Sequence, residues 1–150
     1  MTAVNSPQTD AAKIGFSRDS EEFRTSSHRL AQFAQSFDDE NPKHLSGAFA
    51  PPVFAHIPVM QSMIEVLDTV ATGFVMHGEH DFVFHRPITP AQRLFTTSTL
   101  NGLKGTRAGL TFIVRSETVT QDGAPVCTQY STCLVRGEPS DLLLGEAPPP

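Results

Sequence analysis

The stretch PVFAHIPVMQSMIEVLDT, Pro52 to Thr69, decides the fold, because it predicts one long helix with a wide apolar face. A face this wide indicates a helix buried inside the domain rather than one lying on its surface. The residues that form it are Ala55, Val59, Met63, Val66, Leu67 and Val70. Proline lacks a backbone N–H and fits the first turn of a helix, so Pro58 is predicted to lie near the first turn or to begin the helix.

Four long strands are predicted after this helix. Each segment is rich in β-branched or aromatic residues, and the Gly-containing turns KGTRAG and QDGAP separate the last three. The segments are HDFVFHRPI (80–88), LFTTSTLNGLK (94–104), GLTFIVRSETVTQ (109–121) and PVCTQYSTCLVRG (125–137). A buried helix followed by an antiparallel meander implies a sheet wrapped around that helix, so we predict an α+β chain with a hotdog fold.

A shorter helix is predicted ahead of the central one, after a short strand over 21–25. Ser26 or Ser27 offers an N-cap, and apolar residues then recur with helical spacing along one stripe. These residues are Leu30, Phe33, Ala34 and Phe37. The helix is expected to end in DDENP, because proline disfavours a helical conformation in the residue before it.

Composition and the two chain ends set the domain bounds and the compartment. We predict a flexible segment over 1–13, a single domain over 14–137 and a Pro-rich tail over 138–150, since Pro-rich chain does not join a β-ladder.

The formal net charge of −5 argues against nucleic-acid binding. No apolar run reaches the roughly 18 residues of a membrane helix, and no secretory signal is visible, so we expect a cytoplasmic protein without a membrane partner.

The segment FAQSFDDENPKH, Phe33 to His44, carries the candidate chemistry. It contains the pattern D-x-N-P-x-H, formed by Asp39, Asn41, Pro42 and His44. The Asn41-Pro42 turn bends the backbone, so that a carboxylate and an imidazole five residues apart can converge. Two such groups can share the removal and the delivery of a proton during reaction with water.

This segment resembles the hydratase motif of the MaoC-like, R-specific enoyl-CoA hydratase family. Three further segments are similar to blocks of that family: FAPPVFAHIPVM (49–60) at the entry to the central helix, HGEHDFVFHRPITPAQRL (77–94) at the first long strand, and TVTQDGAPVCTQYSTCLVRG (118–137) at the closing hairpin. Together these similarities cover residues 23–137 and imply a hotdog domain.

The resemblance implies a reaction as well as a fold. Water would add to a trans-2-enoyl thioester to give the R-3-hydroxyacyl product, or leave it in the reverse dehydration. Asp39 and His44 match the family's catalytic positions, whereas Asp38 is one register off. The substrate would be a thioester of coenzyme A or of an acyl-carrier protein, with no other cofactor. Because family members pair two hotdogs, a homodimer or a heterodimer with a second hotdog subunit is expected.

Substrate binding is assigned to Asn41, Val53, His56 and Ile57. The developing enolate oxygen needs hydrogen-bond donors, and backbone N–H groups at the start of the central helix, around 53–59, would supply them. Active family members often carry a His-Gly pair there, where this chain has His56 followed by Ile57.

Two other functions stay open. Ile57 and the short stretch after His44 are compatible with a non-catalytic hotdog subunit that shapes the acyl pocket of a partner dehydratase. Glu65 or Asp68 on the central helix would instead suit a hotdog acyl-CoA thioesterase, in which a carboxylate on that helix activates water.

No metal site is predicted. His77 and His80 are three apart on a predicted strand, so their side chains are expected to point to opposite faces of the sheet. No Cys or carboxylate cluster completes a site with these histidines or with His85. Cys127 and Cys133 lie on one predicted strand about 20 Å apart, too far for a disulfide, and are expected to be small core residues.

Overall fold

The computed structural model describes residues 13–71 and 73–149. Its helices are α1 (Ser27–Gln35), α2 (Pro42–Leu45), a 3-10 helix (Pro52–Val59) and α3 (Met60–Val70). Its strands are β1 (Ser17–Asp19), β2 (Phe23–Arg24), β3 (Val75–Phe84), β4 (Arg93–Thr106), β5 (Gly109–Thr120), β6 (Pro125–Arg136) and β7 (Leu143–Gly145). The predicted succession of a short helix, a central helix and four long strands is confirmed.

The strands form one antiparallel sheet in the order β1-β4-β5-β6-β3, within the described residues. The short strands β2 and β7 also pair with β4, on either side of β1 along that strand. Helix α3 packs against β1, β4 and β5, so the sheet wraps around the helix as predicted for a hotdog fold. Strand β3 pairs only with β6 in this part of the chain, which leaves one edge of β3 open.

The central helix is built from two helical segments. A 3-10 helix runs from Pro52 to Val59, and the α-helix begins at Met60. Pro58 explains the change, because it has no N–H to donate to an α-helical hydrogen bond and disfavours α geometry in the residue before it. The α-helix therefore begins two residues after Pro58, later than the sequence predicts. No described helix is long and apolar enough to cross a membrane.

The core has two apolar parts with hydroxyl groups between them. One part joins α3 to the middle of the sheet, with Val66 fully buried, and the other gathers around Phe54 and Leu94. Between them along β4 and β5 lie buried hydroxyl residues that bond to one another, as Ser98 does to Ser116 at 2.7 Å. A buried polar group is costly without a partner, so these pairs keep the interior free of that penalty.

Strand β3 contains a β-bulge at Gly78. His77 is opposite Cys133 and His80 is opposite Ser131, with one extra residue in β3 between the two pairs. Cys133 and Ser131 are buried, so His77 and His80 share the interior face of the sheet. The prediction that these two histidines point to opposite faces is wrong, because the inserted residue shifts the alternation of the strand by one.

The chain after β6 also departs from the predicted tail. Leu143–Gly145 forms β7 and pairs with residues 102–104 of β4. The prediction that 138–150 joins no ladder is wrong for these three residues, because the apolar LLL run precedes the prolines that exclude pairing. The flexible segment predicted over 1–13 lies, except for Lys13, outside the described residues.

Candidate active site

Asp39 and His44 lie in direct contact. His44 Nδ1 is 2.7 Å from Asp39 Oδ2, and the two side chains are 17% and 14% exposed respectively. The other carboxylate oxygen of Asp39 accepts the N–H of Asn41 at 2.8 Å. The structure thus brings together three of the residues that the sequence assigns to the site.

The end of α1 sets the direction of Asp39. Asp38 adopts a left-handed conformation with φ of 57°, which aspartate tolerates better than most residues. This residue breaks the helix, while the N–H of Asp39 still donates to Ala34 O at 3.1 Å. Asp38 is exposed and Asp39 half-buried, so the structure places Asp38 outside the pair, as the resemblance implies.

Helix α2 presents His44 to Asp39. Asn41 is its N-cap, since Asn41 Oδ1 accepts the N–H of Lys43 at 3.0 Å, and Pro42 occupies the first turn, where an N–H is not needed. His44 follows within the single turn that this cap begins. Asn41 therefore positions both members of the pair. Its side chain caps the turn that carries His44, and its backbone N–H donates to Asp39.

Gly47 anchors α2 on α1. Its φ is +69°, and a Cβ placed on it would lie 2.0 Å from the carbonyl oxygen of Ser27. Only glycine allows the two backbones to approach this closely. The N–H of Gly47 donates to His44 O at 2.9 Å. The close contact between Gly47 and Ser27 therefore lies next to the candidate base, His44.

The surroundings of Asp39 keep it ionised. The hydrogen bond from the Asn41 N–H lowers the pKa of Asp39 below its ordinary value, the contact with His44 lowers it further, and partial desolvation opposes both. An ionised carboxylate beside Nδ1 favours the tautomer of His44 that carries its proton on Nδ1. Nε2 of the neutral ring then keeps a lone pair that can accept a proton.

The other predicted binding residues have different surroundings. Val53 is 53% exposed, and Ile57 is half-buried in a groove with Phe23, Phe33 and Phe54. His56 turns to the sheet, where its Nδ1 lies 3.3 Å from Gln129 Oε1. Residues 52–59 form a 3-10 helix rather than an α-helix, and the backbone donors expected at its start stay a prediction. Asn41 contacts the candidate pair, whereas substrate binding by all four residues stays a prediction.

Three histidines meet between the 3-10 helix and β3. His56 and His80 rings are 4.5 Å apart, and His77 Nε2 lies 3.1 Å from His80 Nδ1. Burial lowers the pKa of His56 and of His80, while hydrogen bonds to the amide of Gln129 oppose this. Sequence reasoning missed the cluster, although an isolated glycine within a strand, here Gly78, is a known signal of a bulge.

An apolar cavity of about 350 Å³ opens beside the start of the 3-10 helix. Ala55, Phe84 and Ile88 line it, together with Arg86 and Cys127. A cavity of this size and polarity is typical of small-molecule sites. It places one positive charge next to an apolar wall.

The carboxylates of the thioesterase alternative lie away from the interior. Glu65 is half-buried and accepts a hydrogen bond from Gln61 Nε2 at 3.2 Å, one turn earlier on α3. Asp68 is exposed.

Cys127 and Cys133 are buried, as predicted, and burial raises the pKa of Cys127 to about 11. None of these four side chains contacts Asp39 or His44 through a hydrogen bond in the described residues.

Comparison with known proteins finds a similar sequence and similar folds over most of the chain. A UPF0336 protein of Saccharopolyspora erythraea is 33% identical over 128 residues, covering 75% of this chain and 81% of that protein. The C-terminally truncated HadBC (3R-hydroxyacyl-ACP dehydratase) complex of Mycobacterium tuberculosis has a TM-score of 0.70 at 20% identity, over 81% of this chain and 96% of that chain. R-hydratase PhaJ1 of Pseudomonas aeruginosa has a TM-score of 0.63 at 16% identity, over 91% and 90%.

These structures show that the chain shares their hotdog fold. The family described as "FAS1-like, dehydratase domain region" matches residues 12–129, which include α1, α2, the central helix and most of the sheet. Asp39 and His44 lie within the matched region. The chain therefore belongs to the family of the FAS1-like dehydratase domain region.

Proposed function

We propose that this chain catalyses R-specific hydration of trans-2-enoyl thioesters, and the reverse dehydration of 3-hydroxyacyl thioesters. The observation that carries the proposal is the contact of Asp39 with His44 at 2.7 Å, in a half-buried position. Its support from relatives is the dehydratase family to which the chain belongs. An ionised carboxylate that orients an imidazole is a general base suited to water.

The proposed reaction uses His44 for both proton transfers. As the oxygen of a water molecule bonds to C3 of the enoyl group, Nε2 of His44 takes one of its protons. The negative charge passes to the thioester oxygen, and the carboxylate of Asp39 stabilises the imidazolium. Nε2 then returns the proton to C2 on the same face, so the net change is syn addition of one water.

The acyl thioester is the proposed substrate because the cavity suits both of its parts. Its apolar wall, with Phe84 and Ile88, would receive an acyl chain, and burial of each methylene group contributes about 0.8 kcal/mol. Arg86 in the same lining carries a charge that suits a phosphate of coenzyme A or of an acyl-carrier protein. The substrate is the sole small molecule that this reaction needs, so we propose no cofactor.

The test is the loss of enoyl-thioester absorbance with crotonyl-CoA and with a longer enoyl-CoA. We expect Asp39→Asn and His44→Ala each to lower kcat by at least about 100-fold, because each removes part of the general base. Circular dichroism should show an intact fold in both variants.

Asp38→Asn is the matched control. It removes a neighbouring carboxylate, and asparagine tolerates the left-handed conformation of Asp38, so activity should stay near that of the wild type. Near-normal turnover in Asp39→Asn and His44→Ala would refute the proposed site. Thiol release that depends on Glu65 or Asp68 would favour the thioesterase instead.

We also propose that the active form contains two hotdog units, as a homodimer or with a second hotdog subunit. Among the described residues, strand β3 has one unpaired edge, and Val83 and Phe84 near its end are 41% and 51% exposed. Open sheet edges are templates for pairing with another chain. If the isolated chain is inactive and gains activity with a second hotdog subunit, it is the pocket-shaping subunit of the alternative.

We also propose the cytoplasm as the compartment of this chain. The free buried thiols of Cys127 and Cys133 are compatible with a reducing compartment.

A further inference from the structure

The three histidines of the cluster belong to two elements that the chain brings together. His56 lies on the 3-10 helix, while His77 and His80 lie on the interior face of edge strand β3. One ring nitrogen of each lies within 4.8 Å of the others, and His77 is exposed to solvent. The proton transfers proposed for Asp39 and His44 use none of these side chains, although His56 is also a predicted substrate-binding residue.

Gln129 fixes which nitrogens of the cluster carry lone pairs. Its Nε2 donates to Ala55 O at 2.8 Å, so its Oε1 must face the histidines. Gln129 Oε1 lies 2.9 Å from His80 Nε2 and 3.3 Å from His56 Nδ1, and an oxygen acceptor requires both of these nitrogens to be protonated. In the neutral rings, Nδ1 of His80 and Nε2 of His56 are therefore left as acceptors, and the Ser131 hydroxyl lies 3.1 Å from Nδ1 of His80 as a donor to it.

This arrangement, in which His77 Nε2 and His80 Nδ1 lie at hydrogen-bond distance, resembles that of metal-binding histidines. Imidazole ligands usually donate their second N–H to a carbonyl or carboxylate oxygen, as His56 and His80 do to the buried amide of Gln129. The distance of 3.1 Å from His80 Nδ1 to His77 Nε2 is close to the roughly 3.4 Å that separates two ligands of a tetrahedral zinc ion.

We propose that His56, His77 and His80 bind a divalent transition metal ion, with zinc as the best fit to three neutral imidazoles. Three protein ligands leave one position of a tetrahedral ion for water or an exogenous ligand. The ion would join the 3-10 helix to the open-edged strand β3. Bound metal is therefore expected to stabilise the folded chain, independently of any hydratase activity.

The experiment titrates Zn²⁺ into the chelator-treated, tag-free full chain in competition with a chromophoric chelator, and Co²⁺ as a spectroscopic probe. We expect one ion per chain, a rise in Tm with Zn²⁺, and the visible absorption of tetrahedral Co²⁺. His77→Ala should weaken Zn²⁺ binding by at least about tenfold, because it removes a direct ligand. His77 is exposed, so this variant should still fold.

His28→Ala is the matched control, since His28 is an exposed histidine on α1 outside the cluster. Asp39→Asn should bind zinc as the wild type does, which separates this test from that of the hydratase. Equal zinc affinity in the wild type and His77→Ala would overturn the proposal. So would an absence of zinc binding by the wild type, or the lack of any tetrahedral Co²⁺ spectrum.

Discussion

Asn41 acts through its backbone and its side chain in two separate contacts. Its N–H holds Asp39, and its Oδ1 caps helix α2 at Lys43 N. Asn41→Ala keeps the first contact and removes the second, so we expect the free energy of unfolding to fall by about 1 kcal/mol. Chemical denaturation measures this change, and NMR titration of the Asp39 carboxyl should show its pKa still lowered.

Asn41→Ser tests whether the loss comes from the cap. Serine accepts a hydrogen bond at an N-cap as well as asparagine does, so this variant should keep most of the wild-type stability. Equal stability of Asn41→Ala and the wild type would mean that the cap contributes nothing. A pKa of Asp39 that returns to its ordinary value in Asn41→Ala would mean that the side chain, not the N–H, holds the carboxylate.

For single residues, the sequence predicts contacts between side chains that are close together in the chain. Asp39, Asn41 and His44 are within six positions, so the turn between them determines their contact. His56 and Gln129 are 73 positions apart, and only the folded sheet brings them together. The amide that orders the histidine cluster was for this reason beyond sequence reasoning.

Among the elements, helix α2 depends on Gly47. Gly47→Ala would place a Cβ 2.0 Å from Ser27 O and 2.7 Å from its carbonyl carbon, so the two helices must separate. We expect a large loss of stability in denaturant unfolding and a loss of hydratase activity, because His44 belongs to the displaced turn. Backbone atoms on the other side of the contact leave no flexible side chain that could move away.

Gly123→Ala separates this steric cost from the conformational one. Gly123 also has a positive φ, +80°, but a Cβ there would meet no atom within 4 Å. Its substitution should cost about 1 kcal/mol for the left-handed backbone alone. If Gly47→Ala costs no more than Gly123→Ala, the close approach of α1 and α2 has no energetic role.

The elements were predictable where one local rule decided them. Helix α1 begins after Ser26 and buries Leu30 and Ala34, as the cap and the apolar stripe predict. The prediction is wrong for Phe37, which lies beyond the end of the helix at Gln35 and is 48% exposed. The 3-10 segment was missed, because apolar periodicity does not show that Pro58 prevents α geometry through the preceding residues. The bulge of β3 was missed because alternation was counted without the extra residue at Gly78.

For the molecule as a whole, the open edge of β3 determines the proposed assembly. We expect the wild type to form dimers, and Val83→Lys to raise the dimer dissociation constant by at least about tenfold, since lysine on an edge strand opposes pairing. Light scattering after size-exclusion chromatography, over a range of concentrations, measures the shift.

Leu143→Lys provides the control for added charge. Leu143 is 73% exposed on β7, which lies beside β4 rather than at the β3 edge. This variant should dimerise as the wild type does. If the wild type stays monomeric at high concentration, the partner must be a second, different subunit. If Val83→Lys dimerises as the wild type does, the dimer interface lies away from the β3 edge.

The hotdog fold of the whole chain could be predicted because a buried helix followed by a meander admits few other arrangements. The pairing of β7 with β4 could not be predicted. A run of three leucines beside prolines is too short to show the alternation that indicates a strand. Contacts that join distant parts of the chain, as β7 does to β4, depend on packing that local sequence does not encode.

The bulge at Gly78 also bears on how this strand can change by insertion and deletion. Because one extra residue stands between the pairs His77–Cys133 and His80–Ser131, removing it leaves both histidines on the interior face. A one-residue deletion elsewhere in β3 would exchange the two faces for every residue on one side of it. A deletion of Gly78 is therefore expected to keep both imidazoles on the interior face, whereas a deletion in the regular parts of the strand is not.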